Sequence, residues 1–415
     1  MSGTTPEPAT VGDQYDPIRL QPSPWDFYAR ARREEAVFYA PATGAYMVTR
    51  YDDVRQVLGA VDTFSMAGVL RVMEVLSDDA RAELQKAFPP FTPDEEPGDA
   101  ARLKAREPIA RAFSPERVRA MHTELSATVL ALLDALDDQG PGDLMMTVGR
   151  PLPIYGKAIA LGFRGDDLPA LVEGAYALSV LSSAGSALDA TTQLHLARMV
   201  VPYQTILTGY VAERMARRGT DLISQILTAI ADSPDAPGPQ AAARTAVETL
   251  IALIGAGQST TTSSFGLGVY QLLTHRDDWK ALAADPTLAP AAVEELLRFD
   301  SPIQALTRRT TCPVALGGVK LESGTDVMVV FPSANRDEAE FEDGGRLRID
   351  RSPNRHLTFG YGPRSCVGMH LARALLTAAF GELARRHSGL RLAGNDAMTL
   401  WPGMHRLVRT LDVEW

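Results

Sequence analysis

Phe359-Gly360-Tyr361-Gly362-Pro363-Arg364-Ser365-Cys366-Val367-Gly368 is a glycine-punctuated stretch carrying a cysteine, and it runs straight into a helical pattern that extends to Arg386. Glycine at such positions lets the backbone turn tightly and approach a flat cofactor closely, because it has no Cβ. A cysteine at a helix N-terminus meets unpaired N–H groups and the positive end of the macrodipole, both of which favour a thiolate. Held in that way, the sulfur can ligate iron. A lone cysteine in a glycine-rich loop is ordinarily a small buried hydrophobe, so it is the flanking residues that single out Cys366.

Upstream of this loop the chain is irregular back to about Val330, and before that Val314 to Val330 reads as strands turned at Gly317-Gly318 and Ser323-Gly324. Helical periodicity accounts for Pro290 to Phe299 and for one long, weakly polar pattern from Ala241 to Leu273, which such apolarity predicts to cross the core. A Pro- and Gly-rich loop, Ser233 to Gln240, precedes it. The middle of the chain is helical, in Arg117 to Leu136, Leu168 to Leu181, Thr191 to Arg217 and Asp221 to Ala231. Near the start, a helix from Leu20 to Ala36 leads into a strand pair, Val37 to Val48, turned at Thr43-Gly44. Strand-like segments return between Arg386 and Trp415. With no internal repeat or low-complexity linker, the pattern predicts a flexible N-terminal segment over 1–20 and one mainly α domain over 21–415 with a minor β part.

Composition narrows the function. The chain has 415 residues, 45% of them hydrophobic, enough for a large core. Its formal net charge of −10, with basic residues dispersed, argues against nucleic acid, whose binding needs clustered Lys and Arg. The polar opening stretch has no signal-peptide pattern, and apolar runs such as Thr249 to Ile254 fall short of the roughly 20 residues a bilayer span needs. Two cysteines, Cys312 and Cys366, cannot staple a chain this long, which fits a reducing cytosol. The expectation is therefore a cytoplasmic protein with no membrane and no nucleic-acid partner.

The loop from Phe359 to Gly368 resembles, throughout, the haem-binding loop of the cytochrome P450 family. The likeness runs from Tyr46-Met47-Val48-Thr49-Arg50-Tyr51-Asp52-Asp53-Val54 to the C-terminal strands. It implies the cytochrome P450 fold, a helical prism with a small β-rich side, and haem b (iron protoporphyrin IX) with Cys366 as the axial haem iron ligand. Phe359 would pack beside the sulfur, Gly360 and Gly368 would shape the loop, and Arg364 would reach a haem propionate. His356 reads as a structural histidine, since thiolate ligation leaves the opposite iron face for oxygen.

Other segments carry the same resemblance. Glu295-Leu296-Leu297-Arg298 matches the family's buried Glu-x-x-Arg pair, with Arg346 as its third partner, a structural network rather than a catalytic one. Counting back from Gly317-Gly318 selects Arg308, with Arg309 beside it, as a propionate contact. Arg102 and Arg106 stand where the family has further propionate donors, in a register set by Ala112-Phe113-Ser114-Pro115, and a small slip would bring in Lys104 instead. Pro108 there implies a kink or a late helix start. Ala256-Gly257-Gln258-Ser259-Thr260-Thr261 resembles the distal Ala-Gly-x-acid-Thr site, with Gly257 admitting oxygen and substrate, Ser259 in the acid's place and Thr260 supplying the alcohol.

By that resemblance the chain is a monooxygenase that activates dioxygen to oxidise, most simply to hydroxylate, a small organic molecule, in a role suited to secondary metabolism. Electrons would come indirectly from NAD(P)H through a ferredoxin or flavodoxin and its reductase, because no flavin or nicotinamide motif is present. Arg364, Arg373, Arg102 and Arg106 would form the docking patch. Ser259 leaves room for epoxidation, nitration or C–C and C–O coupling, and a non-catalytic haem-binding or partner-stabilising protein is the alternative outside catalysis. The substrate walls would come from Ser65 to Phe91, Ala175 to Ala187, Leu250 to Thr260, Ile303 to Thr307 and Leu400 to Gly403, a largely apolar set.

Overall fold

A computed structural model of the chain describes residues 10–66, 76–86, 106–232 and 237–415. Helices build most of it, and the longest runs from Pro239 to Thr274. Gly238 precedes it and Pro239 occupies its first turn, where a missing N–H costs nothing, so the helix starts two residues before the expected Ala241. From Ala246 onward it is buried along much of its length. Phe265 stacks on Phe380 of the helix Met369–Arg386, with ring centroids 5.8 Å apart. A Cβ at Gly268 would stand 2.4 Å from that same ring, so glycine is what lets the two helices close on each other. Further back along the same helix pair, their walls face one cavity.

Local chemistry redraws several expected boundaries. The pattern from Arg117 to Leu136 is two helices, Pro115–Ala120 and His122–Gln139, the first started by Ser114, whose hydroxyl accepts from the Arg117 N–H. The region from Leu20 to Ala36 is also divided: Asp16 caps a single turn, Pro17–Leu20, and the helix proper is Trp25–Glu34, because Pro22 and Pro24 interrupt it. The described part of the 1–20 segment is not a loose tail. Tyr15 is buried with its ring 5.6 Å from Phe27 and 6.3 Å from Phe38, and Val11 is buried beside it, so the domain begins by residue 11.

The sheet side is small. Val37–Ala40 and Ala45–Val48 form the expected hairpin, turned at Gly44 with φ +64°. The hairpin continues through Asp326–Val330 and Ala305–Thr310 to Phe64–Ser65 in one five-stranded sheet, where Ala45–Val48 and Asp326–Val330 run parallel. Val314–Leu316 and Val319–Leu321 make a separate hairpin around Gly317 and Gly318, both at positive φ. The C-terminal strand Val408–Glu414 gathers Met398–Leu400, Arg391–Leu392 and Gly142–Asp143. Among the described residues no helix is long and apolar enough to cross a membrane.

Candidate active site

Between the long helix and the helix Met369–Arg386 lies a cavity of about 280 Å³. Cys366 is on one wall; Ala256, Gly257 and Thr260 are on another; Arg308 and Arg364 also border it, and most of the remaining lining is apolar. The cysteine loop is held by its own backbone. Gly360 and Gly362 sit at φ +75° and +73°, which only glycine adopts without strain. Those two turns let the Cys366 N–H donate to the Phe359 carbonyl at 2.7 Å and the Gly360 N–H to the Leu357 carbonyl at 2.7 Å. Cys366 thus stands just before Gly368, which caps the next helix. Cys366 is accessible, and it lines the cavity. Burial pushes the Cys366 thiol up, while the Gly368 N–H and the cations of Arg106, Arg373 and Lys157 pull the other way.

Cations converge on this loop from three directions. Arg308 is buried and faces the cavity, whereas Arg309 turns to the opposite face of the strand and pairs with Asp326 at 2.7 and 2.8 Å. Strand alternation thereby puts Arg308, and not Arg309, on the cavity side. Arg364 donates to the Phe64 carbonyl at 3.0 Å, and Arg106 donates to the Ser365 carbonyl. Glu107–Ala112 is a short helix with Pro108 in its first turn, the late start that proline implies. Arg102 and Lys104 lie outside the described residues.

On the long helix, Thr260 spends its hydroxyl on the Ala256 carbonyl, 2.8 Å away and one turn back. Ser259, about 100° round the helix from Thr260, is off the cavity wall. A Cβ at Gly257 would stand 2.8 Å from Nζ of Lys157, a residue sequence reasoning passed over. Its one signal was a lysine inside the apolar run Pro151 to Leu161.

Behind the loop, Glu295 and Arg298 are fully buried and joined by two hydrogen bonds of 2.7 Å. Their third partner is Arg351, not Arg346. Arg351 Nε reaches the two Glu295 oxygens at 3.2 and 3.1 Å, while Arg346 is exposed and supplies only its carbonyl, to Arg298 and Arg351. A turn explains the correction: the Arg351 N–H closes on the Arg348 carbonyl at 3.0 Å, which brings the Arg351 side chain back onto Glu295, while Arg346 stays on the exposed side. Arg298 also donates to the carbonyl of Asn335, whose side chain binds the Leu357 N–H at 2.7 Å and the Thr358 hydroxyl at 2.8 Å. The triad therefore fixes the strand of chain that enters the cysteine loop.

His356 is structural, as read. Its Nε2 lies 3.2 Å from Glu294, which Arg373 grips at 2.6 and 2.8 Å. Arg373 is thus neutralised within the protein, whereas Arg364 and Arg106 meet neutral backbone carbonyls and keep their charge. Burial would raise the Glu294 carboxyl, but the hydrogen bonds from Arg373 and His356 overcome it and hold the group at about 2 instead of 4.5. A depressed carboxylate stabilises the fold above its unfolded pKa and loses that contribution as pH falls through its folded one. We expect no more than ~3 kcal/mol to disappear between about pH 4.5 and pH 2, and acid unfolding of Glu294→Gln should lack that arm.

The same architecture recurs in known proteins. The cytochrome P450 family profile matches residues 212–390. Steroid C26-monooxygenase of Mycolicibacterium smegmatis is 30% identical, over 82% of this chain and 85% of its own. Nocardicin C N-oxygenase of Nocardia uniformis subsp. tsuyamanensis is 32% identical, over 93% of each. Among solved structures, the Tepidiphilus thermophilus P450 heme domain superposes with a TM-score of 0.86 at 27% identity, covering 98% of this chain and 97% of that one. The cavity suits the cofactor this implies. A flat macrocycle with two carboxylates and a central iron calls for apolar walls, cations at its edge and one soft donor, and the lining supplies each: Arg308 and Arg364 as cations, Cys366 as the donor. When bound, haem supplies the dioxygen chemistry that no side chain here can perform. The chain belongs to the cytochrome P450 family, and it is a haem-thiolate monooxygenase that carries haem b and draws its electrons from NAD(P)H through redox partners.

Proposed function

We propose that the protein hydroxylates a small, mostly apolar organic molecule in secondary metabolism, in the cytoplasm, with electrons delivered by a ferredoxin or flavodoxin and its reductase. One observation carries this reading: a single cavity brings the Cys366 thiol, the Ala256-Gly257-Thr260 face and the Arg308 and Arg364 cations together within a lining otherwise largely apolar. In it Cys366 is the axial ligand, Phe359 packs beside the sulfur, and Gly360 and Gly368 shape its loop. Arg308 and Arg364 hold the propionates. Arg106 stands behind the loop on Ser365, and Glu295, Arg298 and Arg351 brace it. Leu253, Ile303 and Leu306 are apolar walls facing the same space. The two relatives above are named for oxygenation at a steroid carbon and at nitrogen, so the fold accommodates unlike molecules, and the substrate class rests on the lining rather than on a relative's name.

The experiment is turnover with surrogate ferredoxin and reductase on a library of apolar small molecules, after a reduced-plus-CO spectrum has confirmed the thiolate. Product heavier by one oxygen supports the reading; a normal spectrum with no product from any member contradicts it. Within that assay Thr260 is informative. Its hydroxyl is engaged by Ala256 and Ser259 carries no charge, so proton supply should depend on water or on a polar group of the substrate. Thr260→Ala should then lower product per NAD(P)H by far less than the roughly 10²-fold that lost general acid assistance costs. An analogue lacking the substrate's polar group should uncouple the enzyme strongly. Severe uncoupling by Thr260→Ala, with no effect of the analogue, would place proton delivery on the threonine.

A further inference from the structure

Lys157 has no part in the scheme above, yet it borders the same cavity as Cys366. It sits on the helix Pro151–Leu161 among buried apolar neighbours, Leu152, Ile154 and Leu161, and is itself buried. Its side chain crosses to the long helix, where Nζ makes a 3.4 Å hydrogen bond to the Ile254 carbonyl. Gly257 makes this crossing possible. At Gly257 a Cβ would stand 2.8 Å from Nζ and 2.9 Å from Cε, so the ammonium occupies the room a side chain would take. At Gly156 a Cβ would stand 2.6 Å from Leu375, so the lysine's own helix lies tight against the helix that follows Cys366.

A buried ammonium is costly unless a negative charge offsets the lost hydration. Among the described residues no carboxylate pairs with Lys157. Burial pulls its ammonium down to about 7, and the one charged group acting against that is the Cys366 thiolate. A methionine or leucine would fill the same volume without the penalty. What distinguishes lysine here is a positive charge at the wall of the chamber in which iron and sulfur would sit.

We propose that Lys157 is a tuning cation for the haem site, favouring the negative charge that arrives with the partner's electron and so raising the reduction potential. The proposal rests on the reading that haem is bound through Cys366. The step it governs is simple in balance: one electron passes from the redox partner to ferric iron to give ferrous iron, no bond forms or breaks, and the net charge of the site falls by one. The Lys157 ammonium, where protonated, stabilises the more negative state, since Coulomb attraction in a low-dielectric chamber is little screened. Net charge and burial around a haem are among the levers a protein has over its potential.

The test is redox potentiometry of the haem-loaded wild type, Lys157→Met and Lys157→Arg, with the reduced CO spectrum taken for each. We expect Lys157→Met to load haem, keep the thiolate spectrum and titrate at a lower midpoint potential, and Lys157→Arg to remain near the wild type. An unchanged midpoint in Lys157→Met would overturn the proposal. So would an equal fall in Lys157→Arg, which would trace the effect to packing and not to charge. If Lys157→Met fails to load haem, Lys157→Gln and Lys157→Leu are measured in its place; failure of all three would also overturn the proposal, because a cation that only tunes is dispensable for loading. A wild type without the thiolate spectrum would instead refute the haem-thiolate reading itself.

Discussion

Replacing Cys366 with alanine should abolish the red-shifted Soret band of the reduced CO complex, while Cys312→Ala should leave it in place. Both cysteines are accessible, and they differ in what surrounds them. Cys312 is exposed, in the turn after the strand Ala305–Thr310, with the cavity lined by other residues. Cys366 has its N–H tied to Phe359, positive-φ glycines at 360 and 362 before it, and the cavity in front of it. Left without metal, burial holds its thiol protonated, and Arg106, Arg373 and Lys157 only partly compensate. The thiolate therefore depends on iron as much as iron depends on the thiolate, because a ligating thiol must give up its proton. Removing the sulfur removes the soft donor and leaves an apolar chamber with cations at its edge, so Cys366→Ala should bind haem weakly, if at all, and without the thiolate spectrum. The measurement is one spectrum per variant. Retention of the shifted band by Cys366→Ala would refute the assignment of the axial ligand.

The sequence was most informative where local rules determine structure. Glycine spacing fixed the cysteine loop, and the apolar pattern from Ala241 to Leu273 located the long helix to within two residues. It misled where tertiary context decides. Nothing local says that the pattern from Arg117 to Leu136 breaks at Met121, or that Tyr15 finds Phe27 and Phe38 and thereby anchors a segment that reads as a polar tail. Charge was the hardest property to place. Arg308 and Arg309 are identical in sequence terms and opposite in the sheet, and Arg373 looks like a docking charge until Glu294 is seen to hold it. Lys157 gave no functional signal in the sequence beyond its place in an apolar run, and only the facing Gly257 reveals the room its ammonium occupies.

Arg346 and Arg351 give the sharpest test of that lesson, and the buried triad gives the second large effect. Glu295 accepts from Arg298 and Arg351, from the Arg348 N–H at 2.8 Å and from Asn354 at 3.1 Å, with no exposure to solvent. Such a carboxylate is affordable only because every lone pair is occupied. Glu295→Ala would strand two guanidinium groups, of which Arg298 is fully buried, and breaking a buried pair in this way costs about 3–5 kcal/mol. That is a large share of the roughly 5–15 kcal/mol by which folded proteins are stable, so the variant should accumulate poorly and hold little haem. The loss should reach the cysteine loop first, because Arg298 bonds the carbonyl of the same Asn335 that holds Leu357 and Thr358. Arg351→Ala should be destabilising for the same reason, by less, since Arg298 keeps its bidentate grip on Glu295. Arg346→Ala keeps the carbonyl that the network uses and deletes only an exposed side chain, so its effect should stay within about 0.5 kcal/mol. Urea unfolding of the three variants, read alongside the haem each retains on purification, separates the two arginines. If Arg346→Ala proved as damaging as Arg351→Ala, the side chain at 346 would be a working member of the network, and the turn that brings Arg351 back onto Glu295 would no longer explain how that segment packs.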